Sequence, residues 1–398
     1  MLQPEEVTKE HAIPPFFRLA FRPFFLLPAL LSVISLAGWM LMLNGALVWK
    51  GSLAVSNWHG HEMIFGFAAS VAIGFLLTAA QTWTGVRSIY SWKLALLVLF
   101  WLVARIAFIS NDSVMLITGV IAELAWWLIS IGYLGYMIIR SDNRRNLIFI
   151  PVLTLLAVLD ATMLYAAMTN NIAFATHLSY LAVFMMTVVI TILGGRVIPF
   201  FTSKALNLPI AVANRPFEQF LAIAMALSIV SFALSYWFTI KPVLPILFII
   251  TGISQLIRIR NWRTLRTFKT PLLWSLHFAY LNMGIGYITL GVSYYTDAIS
   301  FSSALHIITL GTIGTMILSM MSRVSLGHTA RPLKSNLWVN VSFAALFSAA
   351  LIRFVLPLFN LPMLGYLLAV IGWVIGFGIF IIYYAPILMR ARTDGRSG

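Results

Sequence analysis

Apolar stretches close to the length of a lipid-spanning helix, about 20 residues, follow one another along nearly all of this 398-residue chain. In hydrocarbon every backbone N–H and C=O must be satisfied within the structure, and continuous apolar runs of this length do so as helices. Only 9% of the residues are charged and mean hydropathy is +0.95, whereas soluble domains carry roughly 25% charge. The predicted fold class is all-α, a polytopic membrane bundle of about twelve transmembrane helices. Breaks between the runs place these near 24–43, 62–82, 92–109, 113–139, 147–168, 173–195, 217–238, 243–257, 271–292, 301–321, 336–356 and 361–389, the eighth being short for a span. Residues 1–23 then form a cytoplasmic lead, 24–389 one transmembrane domain, and 390–398 a cytoplasmic tail.

The net charge of +15 is segregated. With loops alternating between sides, 22 of the 26 Lys and Arg collect on one side; Lys50, Lys241, Arg105 and Arg353 fall on or near the other. Positive loops stay cytoplasmic on insertion, so both termini are expected inside the cell. Anionic lipid headgroups are the natural partner of that basic side. No basic stretch is long enough to track a nucleic-acid backbone, and nucleic acid is not expected as a partner. The chain has no cysteine, which excludes thiolate-ligated metal, iron–sulfur clusters and disulfides. Any metal must use histidine, carboxylate, methionine or main-chain oxygen.

Histidine is where such chemistry is expected. His59 and His61 stand in Asn57-Trp58-His59-Gly60-His61-Glu62-Met63, at the start of the second span. Two positions on a helix turn by about 200°, so either the motif is extended or each ring faces a different centre. His177 and His306 start the sixth and tenth spans, about one turn below the external surface and level with His61. Imidazoles at a shared depth point to a metal or haem, with neutral imidazole suiting iron, copper or zinc and haem iron taking an axial histidine. Glu62 is placed to orient an imidazole, to move protons, or simply to favour a helix N-terminus. His277, about two turns from the inner surface, and His328, after the tenth span, form either a second inner site or a buried ring and a solvated loop residue. His11, in the lead, is expected to be inert.

Charge inside a bilayer is costly and marks function. Glu123 and Asp160 lie in the fourth and fifth spans, with Arg105 of the third at a similar depth. A buried ion pair and a proton relay are both open for them. The second, sixth and tenth spans all begin with histidine; Arg196-Val197 and Arg323-Val324 close the latter two, each with a threonine at the same offset, Thr202 and Thr329. Three four-helix repeats would give that pattern, as would chance.

Several motifs resemble the NnrS family: Trp58-His59-Gly60-His61-Glu62-Met63-Ile64-Phe65-Gly66-Phe67, Gly74-Phe75-Leu76-Leu77-Thr78-Ala79, Trp83-Thr84-Gly85, Gly194-Gly195-Arg196-Val197-Ile198-Pro199-Phe200-Phe201-Thr202, and Arg323-Val324-Ser325-Leu326-Gly327-His328-Thr329 with Arg331-Pro332-Leu333. Arg22-Pro23-Phe24-Phe25-Leu26 fits as well. The resemblance implies a bacterial inner-membrane protein of the nitric oxide response, with haem and copper as cofactors. Helix count and the histidines on spans two, six and ten are also similar to the catalytic subunit of haem–copper oxidases, but the seventh span lacks an adjacent His-His pair. That likeness is analogy. On this reading His61 and His306 hold haem, His59 and His177 hold copper or a second iron, and His277 and His328 are further cofactor candidates. Glu62 supports the metal, and Asp160 and Glu123 relay protons for any reduction of nitric oxide. No electron-entry domain is evident, and the electron donor is left unnamed. A sensor without turnover, or a transporter of metal or nitrosyl-iron species, are the rival readings.

Overall fold

The computed structural model of the chain describes residues 12–240 and 242–396; His11, Lys9 and Lys241 lie outside the described residues. The described residues hold twelve long helices: α1 Phe21–Leu43, α2 Val55–Thr84, α3 Ser91–Ala107, α4 Ser113–Arg140, α5 Phe149–Met168, α6 Ile172–Leu206, α7 Arg215–Leu234, α8 Val243–Ile259, α9 Pro271–Val292, α10 Phe301–His328, α11 Leu337–Leu358 and α12 Pro362–Met389. Ten are long and apolar enough to cross a membrane, which makes this a multi-pass membrane protein. The two outside that criterion are α3, of 17 residues, and α9, which carries Ser275, His277, Tyr280, Asn282 and Tyr287 along its length.

Helix starts follow ordinary capping chemistry. Asp112, Asn214, Ser300 and Asn336 accept from backbone N–H groups of the first turns of α4, α7, α10 and α11. Gly85 ends α2 with φ +68°, a left-handed turn that glycine adopts without strain.

The chain divides into two compact units. The first is Met1–Ala182, Met321–Leu333 and Phe380–Gly398; the second is Val183–Met320 and Lys334–Ile379. In the first, α2 packs against α1 and α4, and α3 lies along α4. In the second, α9 packs along α8 and against α10, which also meets α11. The helices α2 and α10 are the most enclosed, 83% and 78% buried over their apolar windows against 28–61% for the other spans. Their polar residues are therefore held by protein rather than facing lipid.

Two arginines, Arg22 of the motifs and Arg392 of the tail, are helix-end clamps. Arg22 is fully buried, and its Nη1 donates to the carbonyls of Leu388 (2.8 Å) and Arg390 (2.7 Å) at the end of α12. Arg392 Nη1 donates to the His328 carbonyl (2.9 Å) at the end of α10. Each satisfies carbonyls that a helix C-terminus leaves without an internal partner.

Candidate metal centre

His61 is the last residue of an α-helical start, Val55–His61, after which Glu62–Ala69 winds as a π-helix before α geometry resumes at Ser70. A π segment widens the turn, displaces carbonyls and is frequent at functional sites. Here the displaced carbonyls are met individually: Ser70 Oγ donates to Phe65 O (3.0 Å) and Trp101 Nε1 to Gly66 O (3.0 Å).

Around this segment five ionisable side chains from α2, α3, α4 and α5 come together, all essentially excluded from solvent: His61, Glu62, Arg105, Glu123 and Asp160. His61 Nδ1 lies 3.2 Å from Glu62 Oε1 and its Nε2 2.9 Å from Asp160 Oδ1. Trp127 Nε1 donates to the other oxygen of Asp160 (2.8 Å). Arg105 donates to Glu62 Oε2 (3.3 Å) and, through Nη2, to Glu123 Oε2. Phe65 and Phe108 flank the imidazole, with ring centroids 5.4 and 4.9 Å away. Of the two sequence readings for the carboxylates, the ion pair is realised for Glu123, while Asp160 meets His61 and Trp127 instead.

Both oxygens of Glu62 and of Asp160 thus have a partner, whereas Glu123 has one oxygen fixed by Arg105 and a second turned elsewhere. Glu123 Oε1 is buried and has no hydrogen-bond partner among the described residues, an arrangement that costs free energy unless something is bound there. One donor atom each from His61, Glu123 and Asp160 lies within 4.8 Å of the others, so the three can hold a metal ion. With three carboxylates against one guanidinium and one imidazole, the cluster keeps an excess of negative charge whether or not His61 is protonated. A glycine makes the site possible: a Cβ on Gly66 would collide with the Arg105 guanidinium and stand 2.7 Å from Glu62 Oε2. Inside a helix alanine is normally favoured over glycine, yet Gly66→Ala is expected to cost about 1–3 kcal/mol by overpacking, read as a lower unfolding midpoint in detergent. A neutral or raised midpoint would mean that Arg105 gives way freely.

The remaining histidines are placed as follows. His59 and His61 face different neighbours, as a helical pair must; the His59 ring stacks on Trp39 at 4.5 Å. His177 lies in the first turns of α6, which packs on the start of α2 through Asn57 Nδ2 to Thr176 Oγ1 (3.0 Å) and the contact of Gly60 with Ser179. His306 Nδ1 donates to Ser302 O (2.6 Å), which leaves the lone pair on Nε2, the tautomer that metal-ligating histidines use. His277 is fully buried with Thr264 Oγ1 at Nδ1 (3.0 Å) and Thr202 Oγ1 at Nε2 (2.9 Å), a ring satisfied by hydroxyls. His328 is the last residue of α10 rather than a loop residue, its ring beside Phe21. Both ring nitrogens of His61, the residue expected to hold haem, face carboxylates, and two aromatic rings flank it.

The π segment recurs. After His306, Ile307–Gly314 is again a π-helix of 8 residues. Thr315 Oγ1 donates to Leu310 O (3.1 Å), matching Ser70 to Phe65, and Asn282 Nδ2 approaches Gly311 O (3.4 Å), matching Trp101 to Gly66. Histidine, glycine five residues on and a hydroxyl nine residues on form the shared signature, His61-Gly66-Ser70 and His306-Gly311-Thr315. The sixth helix has no such segment and stays α-helical throughout, so two of the three helices expected to repeat share this device.

The sequence profile of the family described as NnrS protein matches residues 15–392. No curated protein matches the chain.

Proposed function

This chain belongs to the NnrS family, a membership that supports a role in the nitric oxide response, and we propose that it meets nitric oxide at a divalent metal held by His61, Asp160 and Glu123. The charge balance carries this reading. An excess of carboxylates over cations enclosed in a protein interior is costly to leave uncompensated, and a dication bound to a neutral His61 would make the cluster neutral. One nitrogen and two carboxylate oxygens, with no cysteine in the chain, suit iron(II), manganese or zinc better than copper(I). When bound, such a metal supplies an open coordination position to a small ligand. Nitric oxide is uncharged and lipid-soluble, so it reaches such a site without a polar channel.

The protein groups have separate tasks. Glu62 accepts the Nδ1 proton of a neutral His61 and so turns Nε2 toward Asp160 and Glu123, the second-layer role a carboxylate plays at histidine sites. Trp127 fixes Asp160 and Arg105 fixes Glu123, while Phe65 and Phe108 keep water from the imidazole. Haem and copper, implied by the family resemblance, fit other residues. His306, with its Nδ1 proton tied to Ser302 O, is the residue we assign to haem iron. His59 and His177, on the two helix starts joined by Asn57 and Thr176, are those we assign to copper. The one-sided placement of Lys and Arg supports a bacterial inner-membrane location with cytoplasmic termini and anionic lipid on that side.

Metal analysis by mass spectrometry tests this on the purified protein. Close to stoichiometric divalent metal is expected in the wild type, with large losses in His61→Ala and Asp160→Asn. Equal metal in all three would remove the site. An optical spectrum on the same samples separates the cofactors: His306→Ala is expected to shift or abolish any haem band that His61→Ala leaves in place, and the reverse pattern would return haem to His61.

A further inference from the structure

The second unit contains a buried cation that no carboxylate answers. Arg353, on α11, is 6% exposed. Its Nη1 and Nη2 reach the hydroxyls of Ser303 (3.4 Å) and Ser302 (3.3 Å), both long for hydrogen bonds, and the side chain also hydrogen-bonds the uncharged Tyr366. Its guanidinium lies over the Tyr366 ring at 4.2 Å. Residues 183–320 and 334–379 include two acidic residues, Glu218 and Asp297. Glu218 is taken by Arg258, which donates to it from Nε (2.8 Å) and Nη2 and completes its partners with Thr191 O and Tyr280 Oη. Asp297 is exposed in the loop between α9 and α10. Among the described residues Arg353 therefore meets no counter-ion, whereas Arg105 on α3, the helix that follows the other π-containing helix, is closed by Glu62 and Glu123.

We propose that Arg353, with Ser302, Ser303 and Tyr366, binds a small planar oxyanion. A guanidinium presents parallel N–H donors that match a two-oxygen anion, and such charge-assisted pairs are the strong ones. The two serine hydroxyls turn to donate as readily as to accept, so they add donors beside the fork. Ser303 also takes a hydrogen bond from Ser300 Oγ (2.8 Å), which anchors the pair at the start of α10. The site lies where α10 begins, α11 nears its end and α12 begins. Ser302 and Tyr366 are half-buried and Ser300 is exposed, so a dissolved anion reaches the guanidinium from the loop ends without crossing the apolar interior.

The test uses the full-length protein in a non-ionic detergent, with the unfolding midpoint followed by tryptophan fluorescence. Sodium formate and sodium nitrite are titrated against sodium chloride at equal ionic strength. Both are expected to raise the wild-type midpoint with saturation, as a ligand specific to the folded state must. Arg353→Gln is expected to lose the response. Ser302→Asp, which places a carboxylate where the 3.3 Å contact now is, is expected to lose it as well while melting as high without anion as the wild type does with it. A wild-type midpoint that follows ionic strength alone would overturn the proposal, as would a formate or nitrite response that survives Ser302→Asp. A response to phosphatidylglycerol micelles with none to formate or nitrite would also overturn it, giving the guanidinium to a lipid phosphate.

Discussion

Replacing Arg105 by methionine is expected to destabilise the protein by about 3–5 kcal/mol, the range for removing one partner of a buried ion pair. Methionine replaces the apolar stem of the side chain, so the loss falls mainly on the charged head. What remains is three buried carboxylates facing His61 alone, with Glu123 stripped of its only donor and Glu62 of one of two. Neutralising one of them should recover much of the loss. In the Arg105→Met background Glu123→Gln is therefore expected to be stabilising, although in the wild type it is destabilising because it removes the charged partner of Arg105 Nη2. A double-mutant cycle on the unfolding free energy reads this as a large coupling, the effect of Glu123→Gln being of opposite sign in the two backgrounds. Additive effects would show that the cluster is screened by solvent or lipid headgroups and is not the closed electrostatic unit its burial indicates. An added divalent metal is expected to raise the Arg105→Met midpoint more than that of the wild type, since the cluster there lacks a positive charge that the wild type has.

Hydropathy made the spans legible because burial in lipid is decided residue by residue along a helix, and the expected boundaries fall within or close to the twelve helices found. The members of the cluster were also visible, since a charge in an apolar run stands out whatever its partner: Glu62, Glu123, Asp160 and Arg105 each interrupt such a run. Partner choice was not visible. Asp160 pairs with a histidine 99 residues away and a tryptophan 33 residues away, and helix rotation, which decides such pairings, leaves little trace in a nearly uniform apolar sequence. The half-buried Arg258 read from sequence as one more basic residue of an inner loop, because Glu218 lies in a different span, 40 residues earlier. The π segments escaped for another reason. Hydropathy carries no information on whether a carbonyl bonds four or five residues ahead, and only the paired glycine and hydroxyl at fixed offsets from His61 and His306 mark them.

That register has a large consequence for the site. A π segment keeps the residues on either side of it in a rotational relation that an α-helix of the same length lacks. Deleting Met63, the half-buried residue at the start of the segment, shortens it by one residue, and with Ser70 and Trp101 still holding the Phe65 and Gly66 carbonyls in the π arrangement the loss turns everything upstream by about 100° against everything downstream. Ser70 to Thr84 is fixed by its contacts with α1 and α4, so the turn falls on Val55 to Glu62. His61 then leaves Asp160, and Glu62 leaves Arg105. The expected result is loss of bound divalent metal as complete as in His61→Ala, with helix content by far-ultraviolet circular dichroism unchanged. Met63→Ala, which keeps the register, is expected to retain the metal, and Ser70→Ala, which removes one hydroxyl-to-carbonyl bond, to cost about 1 kcal/mol without releasing it. Full metal content after deletion would show that the histidine is positioned by the loop before α2 and not by the π turn. Complete metal loss in Met63→Ala as well would assign the effect to packing at that position, and the register argument would fail with it.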